Sequence, residues 1–115
     1  MTRPTLHMLP ATVWDGRDPV APYAPAAYAD EGFIHCTDGD AAMVATANRF
    51  YRDDPQPFVV LTVDLDATGS PWRFDDPQRR FPHIYGAIDP AAVLEARRMV
   101  RNADGEFTGF AALGS

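Results

Sequence analysis

The sequence predicts an α+β domain: a small, mainly antiparallel sheet that carries one main helix, about residues 38–52, and short helical turns. Three observations lead there. Short apolar segments with two-residue alternation recur between proline- and glycine-bearing turns, which is a strand-rich pattern. A single stretch, Thr37 to Arg52, combines a helix-start signal with apolar residues at helical spacing. Finally, Asn102-Ala103-Asp104-Gly105 reads as a hairpin turn, which demands an antiparallel strand on each side.

Taken in order, Thr5–Leu9 reads as a strand with Leu6 and Met8 on one face and Thr5, His7 and Leu9 on the other. Pro10 suits the start of a short helix through Val13 and Trp14, which Gly16 stops. Residues 17–30, with Pro19, Pro22 and Pro25 between Tyr23 and Tyr28, read as an extended loop long enough to cover a site. Gly32–Thr37 is a second strand, with Phe33, His35 and Thr37 on one face and Ile34 and Cys36 on the other. Thr37 and Asp40 resemble a capping box for the main helix, whose Met43, Ala47, Phe50 and Tyr51 share a side; Pro55 and Pro57 prevent its continuation. Phe58–Asp64 is apolar on both faces and therefore central. Gly69-Ser70-Pro71 turns into an edge strand, Pro71–Phe74, and after the Asp75–Arg80 loop Phe81–Tyr85 is a further strand with His83 and Tyr85 on one face. Residues 90–101 fit both a helix behind Asp89-Pro90 and an alternating strand. The hairpin that follows needs a strand, so one helical turn at 90–92 and a strand from Val93 to Arg101 are expected, then the turn and a strand at Glu106–Thr108.

At 115 residues the chain makes one domain, 1–115, able to bury roughly two-thirds of its unfolded surface without a metal or disulfide. The net charge of −6 disfavours nucleic acid, although Arg97, Arg98 and Arg101 could hold one small anion. The lone Cys36 excludes an internal disulfide and a four-cysteine zinc site. No apolar run reaches the roughly 18 residues of a membrane span, and Met1-Thr2-Arg3-Pro4 lacks a signal-peptide core. A cytoplasmic monomer or weak dimer with a small-molecule ligand is the expectation.

His7, His35 and His83 all fall in strand segments and are expected to converge on one site. His35 and Thr37 stand at a strand-to-helix junction, where backbone N–H groups favour an anion. A plain alternative is that His35 is a partly buried histidine held by a backbone carbonyl. His83 is suited to proton transfer near neutral pH, with Tyr85 beside it; the same residues could equally terminate an edge strand. Arg49 and Tyr51 at the helix end are candidate ligand-binding residues, against the bland reading of a solvated helix terminus. Cys36 faces away from His35, so no Cys–His nucleophilic pair is expected.

Leu6-His7-Met8, Trp14, Glu31-Gly-Phe-Ile-His-Cys-Thr37, Ala47-Asn-Arg-Phe-Tyr51 and Phe81-Pro-His-Ile-Tyr-Gly86 together resemble domain-of-unknown-function family 952 over nearly the whole chain. That family's fold is similar to the ADP-ribosyltransferase superfamily, which implies a split sheet around a cleft for NAD. The resemblance implies His7 at the ribose of the nicotinamide half, His35 in the second motif, Tyr51 near the nicotinamide, and Phe81–Gly86 as the third motif. Where transferases carry a glutamate in that motif, this chain has His83 and Tyr85 and no carboxylate. The expected activity is ADP-ribosyl transfer or related chemistry on NAD as substrate, with His7, His35, His83 and Tyr85 catalytic and Thr37, Arg49 and Tyr51 ligand-binding. A noncatalytic nucleotide or metabolite module is the alternative. A three-histidine metal site ranks third, and no metal is expected.

Overall fold

The computed structural model describes residues 2–113. Its elements are β1 (Pro4–Pro10), α1 (Ala11–Asp15), α2 (Tyr28–Glu31), β2 (Ile34–His35), α3 (Asp40–Tyr51), β3 (Phe58–Asp64), β4 (Trp72–Phe74), β5 (Pro82–Ile84), β6 (Val93–Arg101) and β7 (Phe107–Ala112), with 3-10 turns at Leu65–Ala67 and Pro90–Ala92. They form two antiparallel sheets, one ordered β1-β3-β6-β7 and the other β2-β5-β4. The antiparallel α+β arrangement expected from the sequence is thus present.

β3 organises the larger sheet because both of its faces are apolar. Val59, Leu61 and Val63 join Leu9, Trp14, Ile34 and Ile84 in one core, while Phe58 and Val60 join Leu6, Met43, Ala47 and Phe107 in the other. Alternate residues of one strand therefore bind the smaller sheet on one side and α3 on the other. β1 follows the same rule, sending Leu9 to the first core and Leu6 and Met8 to the second. Asn48 fastens α3 to the sheet by donating to Phe107 O at 3.0 Å and accepting from Phe107 N at 2.7 Å.

The two sheets meet at the free edge of β1. Leu6 N donates to Thr37 O at 3.0 Å, and Thr37 N donates to Leu6 O at 2.8 Å. This pairing displaces the expected cap: Thr37 is committed to the sheet, and Gly39, at φ 93°, occupies the N-cap position of α3 with no side-chain cap. Thr5 and Arg3 bind Asp38 instead, at 2.7 Å each, and tie the junction to β1.

Four other expectations are corrected. The 17–30 segment is not all loop, since its end folds into α2. β5 is the middle strand of its sheet rather than an edge, because β4 and β2 pair on either side. Phe50 points outward and is 65 % exposed, whereas Met43 and Ala47 are the residues of α3 that are buried. The arginine cluster of β6 is dispersed: alternation turns Arg98 to the opposite face, Arg97 pairs with Asp40 and Glu95, and Arg101 donates to Asp54 O and Gln56 O. The strand at Val93–Arg101 and its preceding turn fall where the hairpin argument put them, although β7 extends to Ala112. Among the described residues, no helix is long and apolar enough to cross a membrane.

Two glycines give a paired test of the packing. A Cβ on Gly86 would overlap Ser70 Oγ, which is held in place by donating to Ala87 O at 2.7 Å. A Cβ on Gly109 in β7 meets nothing within 4 Å. Urea unfolding should show Gly86→Ala losing roughly 1–3 kcal/mol, and Gly109→Ala unchanged or slightly more stable.

Candidate functional site

The pairing register of the smaller sheet creates a row of polar side chains. Arg73 lies opposite His83, and His83 lies opposite His35. Directly opposed residues project from the same face, so the three stand side by side. The two imidazoles are 5.1 Å apart, ring centre to ring centre and edge to face. Phe33 stacks on His83 at 4.1 Å and meets His35 edgewise at 4.8 Å, packing both rings from one side.

Each imidazole has a carboxylate partner. Asp75 Oδ2 accepts from His83 Nδ1 at 2.8 Å and from the Tyr85 hydroxyl, while Asp75 Oδ1 accepts from Arg73 Nε at 2.7 Å. The Tyr85 hydrogen bond first, then those from His83 and Arg73, lower the Asp75 carboxyl to about 2. An ionised carboxylate only accepts, so His83 must carry its proton on Nδ1 when neutral, leaving Nε2 as the free acceptor. The arginine guanidinium also lies 4.5 Å above the Tyr85 ring, and the bond to Asp75 raises the Tyr85 hydroxyl.

His35 is held in the opposite sense. Its Nε2 lies 2.5 Å from Glu31 Oε2, so Nδ1 is the nitrogen left free. Glu31 reaches it because Gly32, at φ 79°, ends α2 in the left-handed conformation and turns the chain directly into β2. The carboxylates absent from the Phe81–Gly86 motif are therefore supplied from α2 and from the loop after β4. Sequence reasoning missed both. Glu31 had a usable signal in its four-residue spacing from His35, whereas Asp75 is joined to His83 only by strand pairing.

A cleft of about 560 Å³ runs between this row and α3. His35 and His83 form one wall, Ala42, Ala45 and Arg49 the other, and Arg80 lines it from the loop before β5. Among the described residues, neither Arg49 nor Arg80 is in an ion pair, so both guanidinium groups are left for an incoming anion. A second chamber of about 280 Å³ adjoins it and is lined mainly by apolar groups, including Met8, Phe33 and Met43. His35, Thr37, Thr46 and Tyr51 line both spaces. A third cavity, about 550 Å³ beside Trp14 and Arg17, contains no histidine.

His7 does not join the other imidazoles at the cleft. It is 5 % exposed and lines the inner chamber. Its Nδ1 lies 2.8 Å from His35 O, which can only accept, so Nδ1 donates and Nε2 takes the Tyr23 hydroxyl proton at 3.1 Å. Burial lowers His7 to about 4 and raises the Tyr23 hydroxyl. The expected three-ring convergence is thus a pair, His35 and His83, with His7 behind it. Among the described residues, no group of three or more His, Cys, Asp or Glu side chains is placed to hold a metal. Thr37 is buried at the junction of the two spaces, Arg49 and Tyr51 reach the cleft, and Tyr85 orients Asp75 from outside it. Cys36 is buried on the other face, where desolvation raises its thiol.

A family model described as "Protein of unknown function (DUF952)" matches residues 8–96. The crystal structure of protein CC0527 from Caulobacter crescentus is similar to this chain, with a TM-score of 0.74 and 24 % identity over 92 % of this chain and 94 % of that one. The solution NMR structure of CC0527 gives a TM-score of 0.67 at 24 % identity, covering 89 % of each chain. These likenesses concern the fold. No curated protein matches the sequence.

The buried neutral His7 makes stability depend on pH. Its folded value, about 4, lies below the unfolded 6.5, so the unfolded chain binds the extra proton between them. Its contribution is complete above about pH 6.5, falls as pH drops toward 4, and amounts to roughly 3 kcal/mol over that window. Asn at position 7 keeps a donor near Nδ1 but does not titrate. Urea midpoints at pH 7.5 and 5 should therefore converge more closely in His7→Asn than in the wild type.

Proposed function

Since the chain belongs to the DUF952 family of proteins of unknown function, the activity must be read from the site, and we propose that the cleft binds a phosphate-bearing nucleotide, an NAD-type dinucleotide first among them, and cleaves it by paired imidazole acid–base chemistry. The observation that carries this reading is the opposite orientation of two adjacent imidazoles, one held at Nδ1 by Asp75 and the other at Nε2 by Glu31. Both imidazoles line a cleft whose walls also carry Arg49 and Arg80.

The chemistry follows from the nitrogens left free. Neutral His83 accepts at Nε2 the proton of an attacking water or acceptor hydroxyl. Protonated His35 donates Nδ1–H to the departing group as its bond to phosphorus or to the ribose carbon breaks, so one proton enters the pair and one leaves. Asp75 steadies the imidazolium that forms on His83, and Glu31 the one required on His35. Arg49 and Arg80 hold the phosphate oxygens. ADP-ribosyl transfer is the form of this reaction that ends on an acceptor, and hydrolysis the form that ends on water.

A binding module without turnover is the second reading, favoured by one observation: the His35 side chain is 61 % exposed and so keeps much of its water. Calorimetric titration and product analysis with NAD separate the two. The enzyme reading expects binding that weakens roughly tenfold or more in Arg49→Ala or Arg80→Ala. It also expects turnover that falls about a hundredfold or more in His83→Ala, with Asp75→Asn lowering kcat more than it raises KM. Binding with no product, and little loss of affinity in His35→Ala, would establish the module. No binding at millimolar NAD by folded protein would overturn both.

A further inference from the structure

We infer that the inner chamber beside the cleft is a ring-binding subsite that selects a flat, uncharged base bearing an N–H donor, such as the exocyclic amine of adenine. The inference rests on the nucleotide reading of the outer cleft and adds to it the part of the ligand that confers selectivity.

The two spaces are neighbours: His35, Thr37, Thr46 and Tyr51 line both, so the cleft and the chamber are separated by no more than these side chains and lie within the span of one nucleotide. The two ends differ in chemistry. The outer space has Arg49, Arg80 and the imidazole pair, whereas the inner one is bordered largely by aliphatic and aromatic side chains. An anionic group is stabilised outside and would lose its hydration inside. The ligand is therefore divided into a charged part and an uncharged part.

Size and shape define the uncharged part. A cavity of roughly 150 Å³ takes benzene, so about 280 Å³ suits one or two fused rings and excludes a whole nucleotide. Phe33, Tyr23 and Tyr51 provide aromatic surface for a flat group.

Hydrogen bonding then sets what that ring must carry. His35 O only accepts, which places the His7 proton on Nδ1 and makes Nε2 an acceptor. Tyr23 therefore donates its single hydroxyl proton to His7. What the Tyr23 oxygen retains for the chamber is a lone pair. A ring N–H or amine facing it is satisfied, and a ring carbonyl there is not. Because Pro25 and Ala27 of the covering segment also line this chamber, its width is open to change from the surface.

The test measures binding of pyrophosphate, ADP and purine riboside diphosphate by calorimetry, using the wild type, Ala27→Trp and Tyr23→Phe. ADP and purine riboside diphosphate share the phosphates and the ring and differ only by the exocyclic amine. ADP is expected to bind roughly tenfold tighter than purine riboside diphosphate and tighter than pyrophosphate. Ala27→Trp, at an exposed position, should reduce ADP affinity roughly tenfold while leaving pyrophosphate unchanged. Tyr23→Phe should bring ADP and purine riboside diphosphate together, a change in ratio that a general loss of packing would not produce. Equal binding of ADP, purine riboside diphosphate and pyrophosphate by the wild type overturns the ring subsite and leaves the phosphate cleft standing. ADP binding that depends on Ala27 and Tyr23, without any for pyrophosphate, supports the subsite and overturns the outer anion site. No binding of any of the three overturns both.

Discussion

The backbone pairing of Leu6 with Thr37 is the contact on which the geometry of this protein depends. Those two hydrogen bonds join the sheets at the free edge of β1. Through that join, His35 O comes within reach of the His7 ring, and His35 and His83 of the smaller sheet share a cleft with α3. Thr37 performs this task with its backbone, which explains why it sits at a strand-to-helix junction without capping the helix.

The site itself is a matter of orientation more than of composition. Histidine and carboxylate side chains are common on protein surfaces, and an exposed pair contributes little to stability. Here Asp75 gathers donors from β4 and β5, while Glu31 arrives from a single helical turn ended by Gly32. The outcome is two neighbouring rings that present different nitrogens. His7 has another part: deprived of water, it stays neutral and passes a fixed hydrogen-bond direction from the His35 carbonyl to Tyr23.

Much of this was legible in the residues, and what was not has a common cause. Period-two alternation located β1, β2 and β5, and a run apolar on both faces located β3, because burial of a strand's faces leaves a direct imprint on sequence. The choice of strand over helix at Val93–Arg101 came from the turn behind it, where local helix signals around Pro90 pointed the other way. His35 and His83 stood out as strand residues in distinctive motifs. Their carboxylates did not, since Asp75 meets His83 through a register fixed only when β4 pairs with β5. The one-turn α2 was hidden for a related reason. Four residues are too few to show a period, and the prolines and alanines that precede it resemble a loop. The Thr37 cap failed because two legitimate local preferences competed, and sheet pairing prevailed.

Strand register and two carboxylates fix the adjacent imidazoles His35 and His83 in opposite tautomers, and the His35 carbonyl fixes that of His7. Nitrogen-15 NMR of the histidine rings, at a pH where they are neutral, reads this directly. The proton is expected on Nδ1 in His83 and His7 and on Nε2 in His35, with the His83 signal reverting toward the ordinary mixture in Asp75→Asn. The same tautomer in His35 and His83, or free exchange between forms in both, would contradict it.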